Sequence, residues 1–295
     1  MRLAKVLGVV GRTCITAGVL ILLFVAYQLW GTGIRTAQAQ NRLEDEFATV
    51  LEEAESVPST TTTTVPGEPD TVPTTTPLPE GAATARIVIP AIGVDKIVVE
   101  GVSLDALKKG PGHYPGTPLP GQEGNAAIAG HRTTYGAPFN RLDELEPGDE
   151  ITVTTLQGEF TYAVSDTQIV SPTEVQVLEN KGDNRLTLSA CHPKYSARER
   201  IIVVGILAPD EEVHPRATRA EDAAPPAALD DIDGEGEPAW PAIVLGATCA
   251  AIWLAAWLLG RMWRKWPSYL IGFPFFMVAL FFFFEEFSRL LPSSF

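Results

Sequence analysis

The chain is poor in cysteine and histidine, with three of one and four of the other in 295 residues. Cys14 and Cys249 lie in apolar segments near the two ends, which leaves Cys191 as the one cysteine outside them. No disulfide framework can be built from that set. Cys-x-x-Cys and His-x-x-x-His are both absent, and too few ligands stand at zinc spacing, so neither a metal nor a cofactor is expected. Basic residues are outnumbered, 22 against 36 acidic, for a net charge of −14, and no nucleic-acid partner is expected. No internal repeat is visible.

Long apolar runs are present at both ends. About 17 uncharged residues run from Cys14 to Trp30, preceded by Arg2, Lys5 and Arg12. Ala37-Gln-Ala39 resembles a signal cleavage site but lies well past the run, which favours an uncleaved anchor. Two further runs, Trp240 to Gly260 and Tyr269 to Phe284, flank the basic, tryptophan-bordered loop Arg261-Met-Trp-Arg-Lys-Trp266. Lysine and arginine mark the cytoplasmic side. The N-terminus and the 261–265 loop are therefore expected inside, with the region between the first and second spans outside. The third run is short and holds Pro274, so a re-entrant or interfacial hairpin is the alternative for it.

Two linkers bracket the middle of the chain. Ser56 to Ala82 is rich in Thr and Pro and has almost nothing to bury. Extended at ~3.1 Å per residue, about 27 residues reach roughly 80 Å, the reach of a tether. Before it, Leu43, Phe47, Val50 and Leu51 recur at helical spacing, which predicts a short juxtamembrane helix. Ala208 to Pro238 carries ten acidic residues against Arg216 and Arg219, a solvated tail that supplies over half the net charge. The expected segments are an anchor over 1–35, helix and linker over 36–82, a domain over 83–208, an acidic linker over 209–238 and a transmembrane hairpin over 239–295.

The central domain reads mostly as strands. Arg86-Ile-Val-Ile89, Lys96 to Glu100, Asn125 to Gly130, Glu150 to Thr155, Glu159 to Ser165, Arg185 to Ser189 and Arg200 to Gly205 are short and largely β-branched or small. Only Leu104 to Lys108 and Phe139 to Leu142 look helical. Frequent strands with turn signals predict an antiparallel barrel or sandwich.

Cys191 ends one strand, preceded by the small Ser189 and Ala190 and followed by His192 and Pro193. A buried, inert thiol and a nucleophile are both open readings. A thiol nucleophile needs a proton partner. Successive strand residues face opposite ways, so His192 points away from Cys191. His131, where the Asn125–Gly130 strand opens into a loop, occupies the same kind of position as Cys191. His113 sits in a Gly/Pro-rich loop, and His214 in the acidic tail reads as solvated. Arg198 and Arg200 share a face; Arg200, next to the apolar run, is the better-fixed donor for an oxyanion.

The order His131, Cys191, Arg200 on strand ends resembles the sortases, membrane-anchored cysteine transpeptidases. Leu186-Thr-Leu-Ser-Ala-Cys191 is similar to their T-L-x-T-C motif, with Ser189-Ala190 where the family usually has Thr and another residue, the serine keeping the hydroxyl. Gly110-Pro-Gly-His-Tyr-Pro-Gly116, Ala129-Gly-His-Arg-Thr-Thr-Tyr-Gly-Ala-Pro-Phe-Asn140 and Cys191-His-Pro-Lys-Tyr-Ser-Ala-Arg-Glu-Arg200 resemble the class E enzymes of actinobacteria. The resemblance implies a mainly β fold, a closed barrel with short helices, and transmembrane helices at both ends. It implies Cys191 as nucleophile, His131 and Arg200 as catalytic partners, and Tyr114, Ser189 and Ala190 at the substrate. The substrates would be surface proteins with a C-terminal Leu-Ala-x-Thr-Gly or Leu-Pro-x-Thr-Gly signal. The acceptor would be an amine of a peptidoglycan precursor or a pilin, which amounts to cell-wall anchoring outside the cytoplasmic membrane. A thiol hydrolase and a non-catalytic membrane scaffold are the alternatives.

Overall fold

A computed structural model describes residues 2–56, 78–215, 239–262 and 265–289. Two compact units divide the chain: 1–31 with 235–292, and 32–234 with 293–295.

The first unit holds helices α1 (Arg2–Ala26), α4 (Trp240–Met262) and α5 (Lys265–Arg289). Their exposed faces carry Leu, Ile, Phe and Trp side chains, the reverse of a water-facing surface. Small residues bring α4 and α5 close: a Cβ on Gly272 would press on Ala256, and one on Gly246 on Phe283. Tyr27, Cys249, Leu280 and Phe284 pack inside. Three stretches, within Val10–Ala54, Trp240–Met262 and Trp266–Ser288, are long and apolar enough to cross a membrane. The third apolar run, read as short from sequence, is a 25-residue helix that passes through Pro274.

The second unit is a closed barrel. Its strands are β1 (Ala83–Ile89), β2 (Val94–Glu100), β3 (Gly112–His113), β4 (Asn125–Ala129), β5 (Glu150–Thr155), β6 (Gly158–Val170), β7 (Arg185–His192) and β8 (Glu199–Leu207). Around the barrel they run β1-β2-β3-β4-β7-β8-β6-β5, and β5 pairs back to β1. In β5, Ile151 and Val153 point inward while Thr152 and Thr154 are half-buried, the alternation of a strand with one wet face. β4 and β7 are parallel to each other, and β4 is buried along its whole length. The core is filled by Ile87, Ile89, Ile128, Phe139, Leu142, Ile151, Leu186, Leu188, Ile201 and Val203. Helix α3 (Leu104–Leu107) is short, and its first turn is capped by the Ser103 hydroxyl accepting from Ala106 N–H. The second helical segment falls at Leu142–Glu144 as a single 3₁₀ turn rather than at Phe139.

Helix α2 (Thr32–Ser56) belongs to this unit. Leu43 and Phe47 are buried against Ile97, Val99 and Ala106, while Val50 is exposed. Most of the Thr/Pro stretch expected as a tether, residues 57–77, lies outside the described residues. The helix before it rests on the barrel. At the other end, the segment expected as free tail stays on the barrel to residue 215. Ala208 N–H donates to Thr161, and His214 exchanges backbone hydrogen bonds with Gly121 and Glu123. The His214 ring meets Phe160 edge-on, so it is half-buried rather than solvated.

Candidate active site

The strand register brings the site together. Parallel pairing aligns Ala129 of β4 with Ser189 of β7. His131 lies two residues beyond Ala129, and Cys191 two residues beyond Ser189. Antiparallel pairing then sets Cys191 opposite Arg200 of β8. Three adjacent strands therefore deliver His131, Cys191 and Arg200 to one end of the barrel. All three line one cleft with Leu107, Ala129, Gly130, Ser189 and Ala190.

His131 is held from several sides. Gly130 N–H donates to Ser189, and the His131 carbonyl accepts from Phe139 N–H. Gly130 is required there, because a Cβ would strike the Phe139 ring. The Tyr135 ring lies over the imidazole, 4.9 Å between centroids. His131 is 8% exposed, and its Nε2 is buried with no hydrogen-bond partner among the described residues. Such an atom is costly unless a ligand completes it. Burial, with the Lys108 charge nearby, pulls the imidazole pKa down to about 4, so it is neutral near pH 7.

Cys191 is partly exposed, at the mouth of the cleft. Arg200 is 4% exposed; its Nη1 donates to the carbonyls of Ala197 at 3.0 Å and Glu199 at 3.3 Å. These bonds fix the guanidinium beside the strand pair that carries the thiol. Arg198 forms no part of the cleft lining.

The three residues expected at the substrate divide. Ser189 and Ala190 line the cleft; Tyr114 does not. Its side chain is fully buried behind the wall among Val102, Leu107, Ala127, Ala129 and Leu178, and its hydroxyl meets Ser189 Oγ at 3.1 Å. Burial pushes its phenol up to about 12, against the opposing pull of the Ser189 hydrogen bond and Arg200. Tyr114 therefore stays protonated, behind the cleft wall and in contact with Ser189.

Two features were not read from sequence. Arg132 is 3% exposed and spans the ends of β4 and β7. Its Nη1 donates to the Cys191 carbonyl at 3.2 Å and to His192 Nδ1 at 3.0 Å, and its Nη2 pairs with Asp143 at 2.7 Å. Asn140 closes the loop by donating to the Arg132 carbonyl. His192 is not part of the cleft lining; its Nδ1 accepts from Arg132. The second feature is His113, read as a bland loop histidine. It is buried, with Nδ1 facing the Glu100 carboxylate at 3.2 Å and Nε2 facing the Pro118 carbonyl at 2.9 Å. The adjacent Thr117 hydroxyl donates to the Tyr114 carbonyl, so this cluster fixes the residue that holds Ser189. Among the described residues no His, Cys, Asp and Glu group is suited to hold a metal.

A family described as the sortase domain matches residues 87–208, the extent of the barrel from β1 to the end of β8. Sortase SrtE1 of Streptomyces coelicolor is 34% identical over 234 residues, covering 72% of this chain; the chain spans 60% of that relative's length. Sortase SrtE2 of the same organism is 30% identical over 233 residues, covering 71% of this chain and 85% of the relative. The solved structure of sortase E from Streptomyces avermitilis is 37% identical, covers 44% of this chain and 91% of its own, and superposes with a TM-score of 0.41. A barrel whose register lines up His131, Cys191 and Arg200, and a relative matched over most of its length, place this chain in the sortase family.

Proposed function

We propose that the chain is a membrane-anchored transpeptidase that cuts a Leu-Ala-x-Thr-Gly or Leu-Pro-x-Thr-Gly signal between Thr and Gly. The observation that carries this reading is the β4-β7-β8 register, which converges a thiol, an imidazole and a guanidinium on one cleft. The Cys191 sulfur attacks the threonine carbonyl carbon. Neutral His131 takes the thiol proton during the attack, which its lowered pKa supports. Arg200 donates to the tetrahedral oxygen or to the peptide beside it. Collapse breaks the Thr–Gly bond, and His131 gives the proton to the departing glycine amine. A thioester remains on Cys191. An amine of a peptidoglycan precursor or a pilin attacks it and gives up a proton to His131; the C–S bond breaks as the new amide forms, and that proton returns to the Cys191 thiolate. The substrate class fits surface proteins with C-terminal signals.

The three apolar helices support a multi-pass anchor in the cytoplasmic membrane. With Arg2, Lys5 and Arg12 at one end, and Arg261 in the last turn of α4 and Lys265 at the start of α5, the inside-positive bias favours a barrel outside.

The full-length chain, purified in detergent, is incubated with a Leu-Ala-x-Thr-Gly peptide with and without an amine, beside Cys191→Ala, and products are identified by mass spectrometry. An amine-dependent product, lost in the variant, is expected. Free acid alone under excess amine would make the enzyme a hydrolase, and no cleavage with an unlabelled thiol would leave only a binding scaffold.

A further inference from the structure

Helix α2 carries a stripe of polar side chains that are buried where apolar ones would be expected. Thr32, Thr36 and Gln40 are 1%, 3% and 8% exposed, in line with Leu43 and Phe47 below them. Burying hydroxyls and an amide costs stability unless each finds a partner, and the partners here are backbone groups of the barrel. Gln40 mimics a strand residue. Its Oε1 accepts from Ile97 N–H at 2.8 Å, and its Nε2 donates to the Ile97 carbonyl at 2.9 Å. The same amide donates to the Lys109 carbonyl at 2.9 Å, over Gly110, where any Cβ would collide with it. The Thr36 hydroxyl donates to the Lys108 carbonyl at 2.8 Å. The Thr32 hydroxyl accepts from Tyr135 N–H at 3.1 Å.

Those contacts fall on the two segments that frame the histidine. The 104–109 turn supplies Leu107 to the cleft wall and the Lys108 charge that acts on His131. The 131–137 loop places the Tyr135 ring over the imidazole. That loop is strained, because Tyr135, Gly136 and Ala137 have φ of 51°, 74° and 43°, and two of the three carry side chains. Non-glycine residues hold such angles only where surrounding structure imposes them. The Tyr135 amide, in the middle of this turn, is anchored by Thr32.

We infer that α2 is a positioning element of the active site, in which Thr32, Thr36 and Gln40 hold the two segments that set the place of His131. None of the three touches the reacting atoms. The inference rests on the proposed role of His131, and it makes α2 part of the catalytic unit rather than a stalk beneath it.

The test uses the full-length chain in detergent. Thr32→Val keeps the shape and removes the acceptor; Thr32→Ser restores it. Gln40→Leu removes the strand mimic at similar volume. Loss of the Tyr135 bond should lower kcat about three- to tenfold with KM nearly unchanged, and Thr32→Ser should recover it. Hydrogen exchange of the 131–137 amides should rise in Thr32→Val and return in Thr32→Ser. An unchanged kcat and unchanged exchange in both Thr32→Val and Gln40→Leu would overturn the inference. If the wild type itself fails to process sorting peptides, the proposed reaction is what fails. The exchange of the 131–137 amides then decides on α2 alone: a rise in Thr32→Val supports it and no change rejects it.

Discussion

The Arg132 guanidinium reaches from the residue after His131 to the carbonyl of Cys191, 3.2 Å away. Its other arm is tied to Asp143 at 2.7 Å. One side chain thus sets the spacing between the ends of β4 and β7. Arg132→Lys keeps the charge but loses the fork that spans both partners. We expect a fall in kcat of about tenfold or more with a smaller change in KM. Arg132→Ala should also destabilise the fold by about 1–2 kcal/mol, since it removes a buried side chain and its hydrogen bonds to the Cys191 carbonyl and His192, while the Asp143 carboxylate, 41% exposed, can turn to water. Steady-state kinetics and a urea titration measure the two effects, and an unchanged kcat in Arg132→Lys would remove Arg132 from the positioning machinery.

Tyr114 and Ser189 form a buried hydroxyl pair at 3.1 Å. Tyr114→Phe and Ser189→Ala should each cost about 1 kcal/mol, and the double variant should cost less than their sum. Additive losses in a thermal-unfolding cycle would mean the bond contributes nothing of its own.

His131 links stability to pH. Its folded pKa of about 4 lies below the ordinary value of 6.5. The unfolded chain therefore binds the extra proton first. This contribution is full above pH 6.5, declines as pH falls toward 4, and changes no further below that. Wild-type urea midpoints should drop more steeply between pH 7 and pH 4.5 than those of His131→Gln. Parallel slopes for the two proteins would show that His131 titrates normally in the folded state.

Glu100 and His113 are both buried, at 3% and 1% exposure. Removing one partner of such a pair leaves the other without compensation, so Glu100→Ala should lose about 3–5 kcal/mol. Because the cluster supports Tyr114 through Thr117, its thermal midpoint should fall by far more than that of Tyr114→Phe. A midpoint within a degree of wild type would show that the pair is structurally idle.

The parts of this site written locally were legible in sequence, and the parts written by distant pairing were not. β-branched runs marked most strands, and the small residues before His131 and Cys191 marked where strands open into loops. That β4 and β7 lie parallel and in register depends on residues some 60 positions apart, as in Ala129 and Ser189, and no local period carries it. Arg132 stood beside a candidate histidine, but its partner Asp143 lies across an irregular loop, where no local period pairs side chains. Thr32, Thr36 and Gln40 share the stripe of Leu43 and Phe47, yet polar side chains on a buried stripe break the apolar pattern by which helices are recognised. His113 was hidden by its loop of glycines and prolines, since only the fold brings Glu100 against it.

Closure of the barrel has one more effect. Each strand from β1 to β8 has a neighbouring strand on both sides, and where β3 is too short to cover β2 beyond Val99 and Glu100 the Gln40 amide takes the Ile97 backbone. On the proposed reaction, a peptide reaching Cys191 would be selected by side chains and loop backbone around the cleft rather than by a free sheet edge, and exchanging loops would alter that selection while the barrel stays as it is.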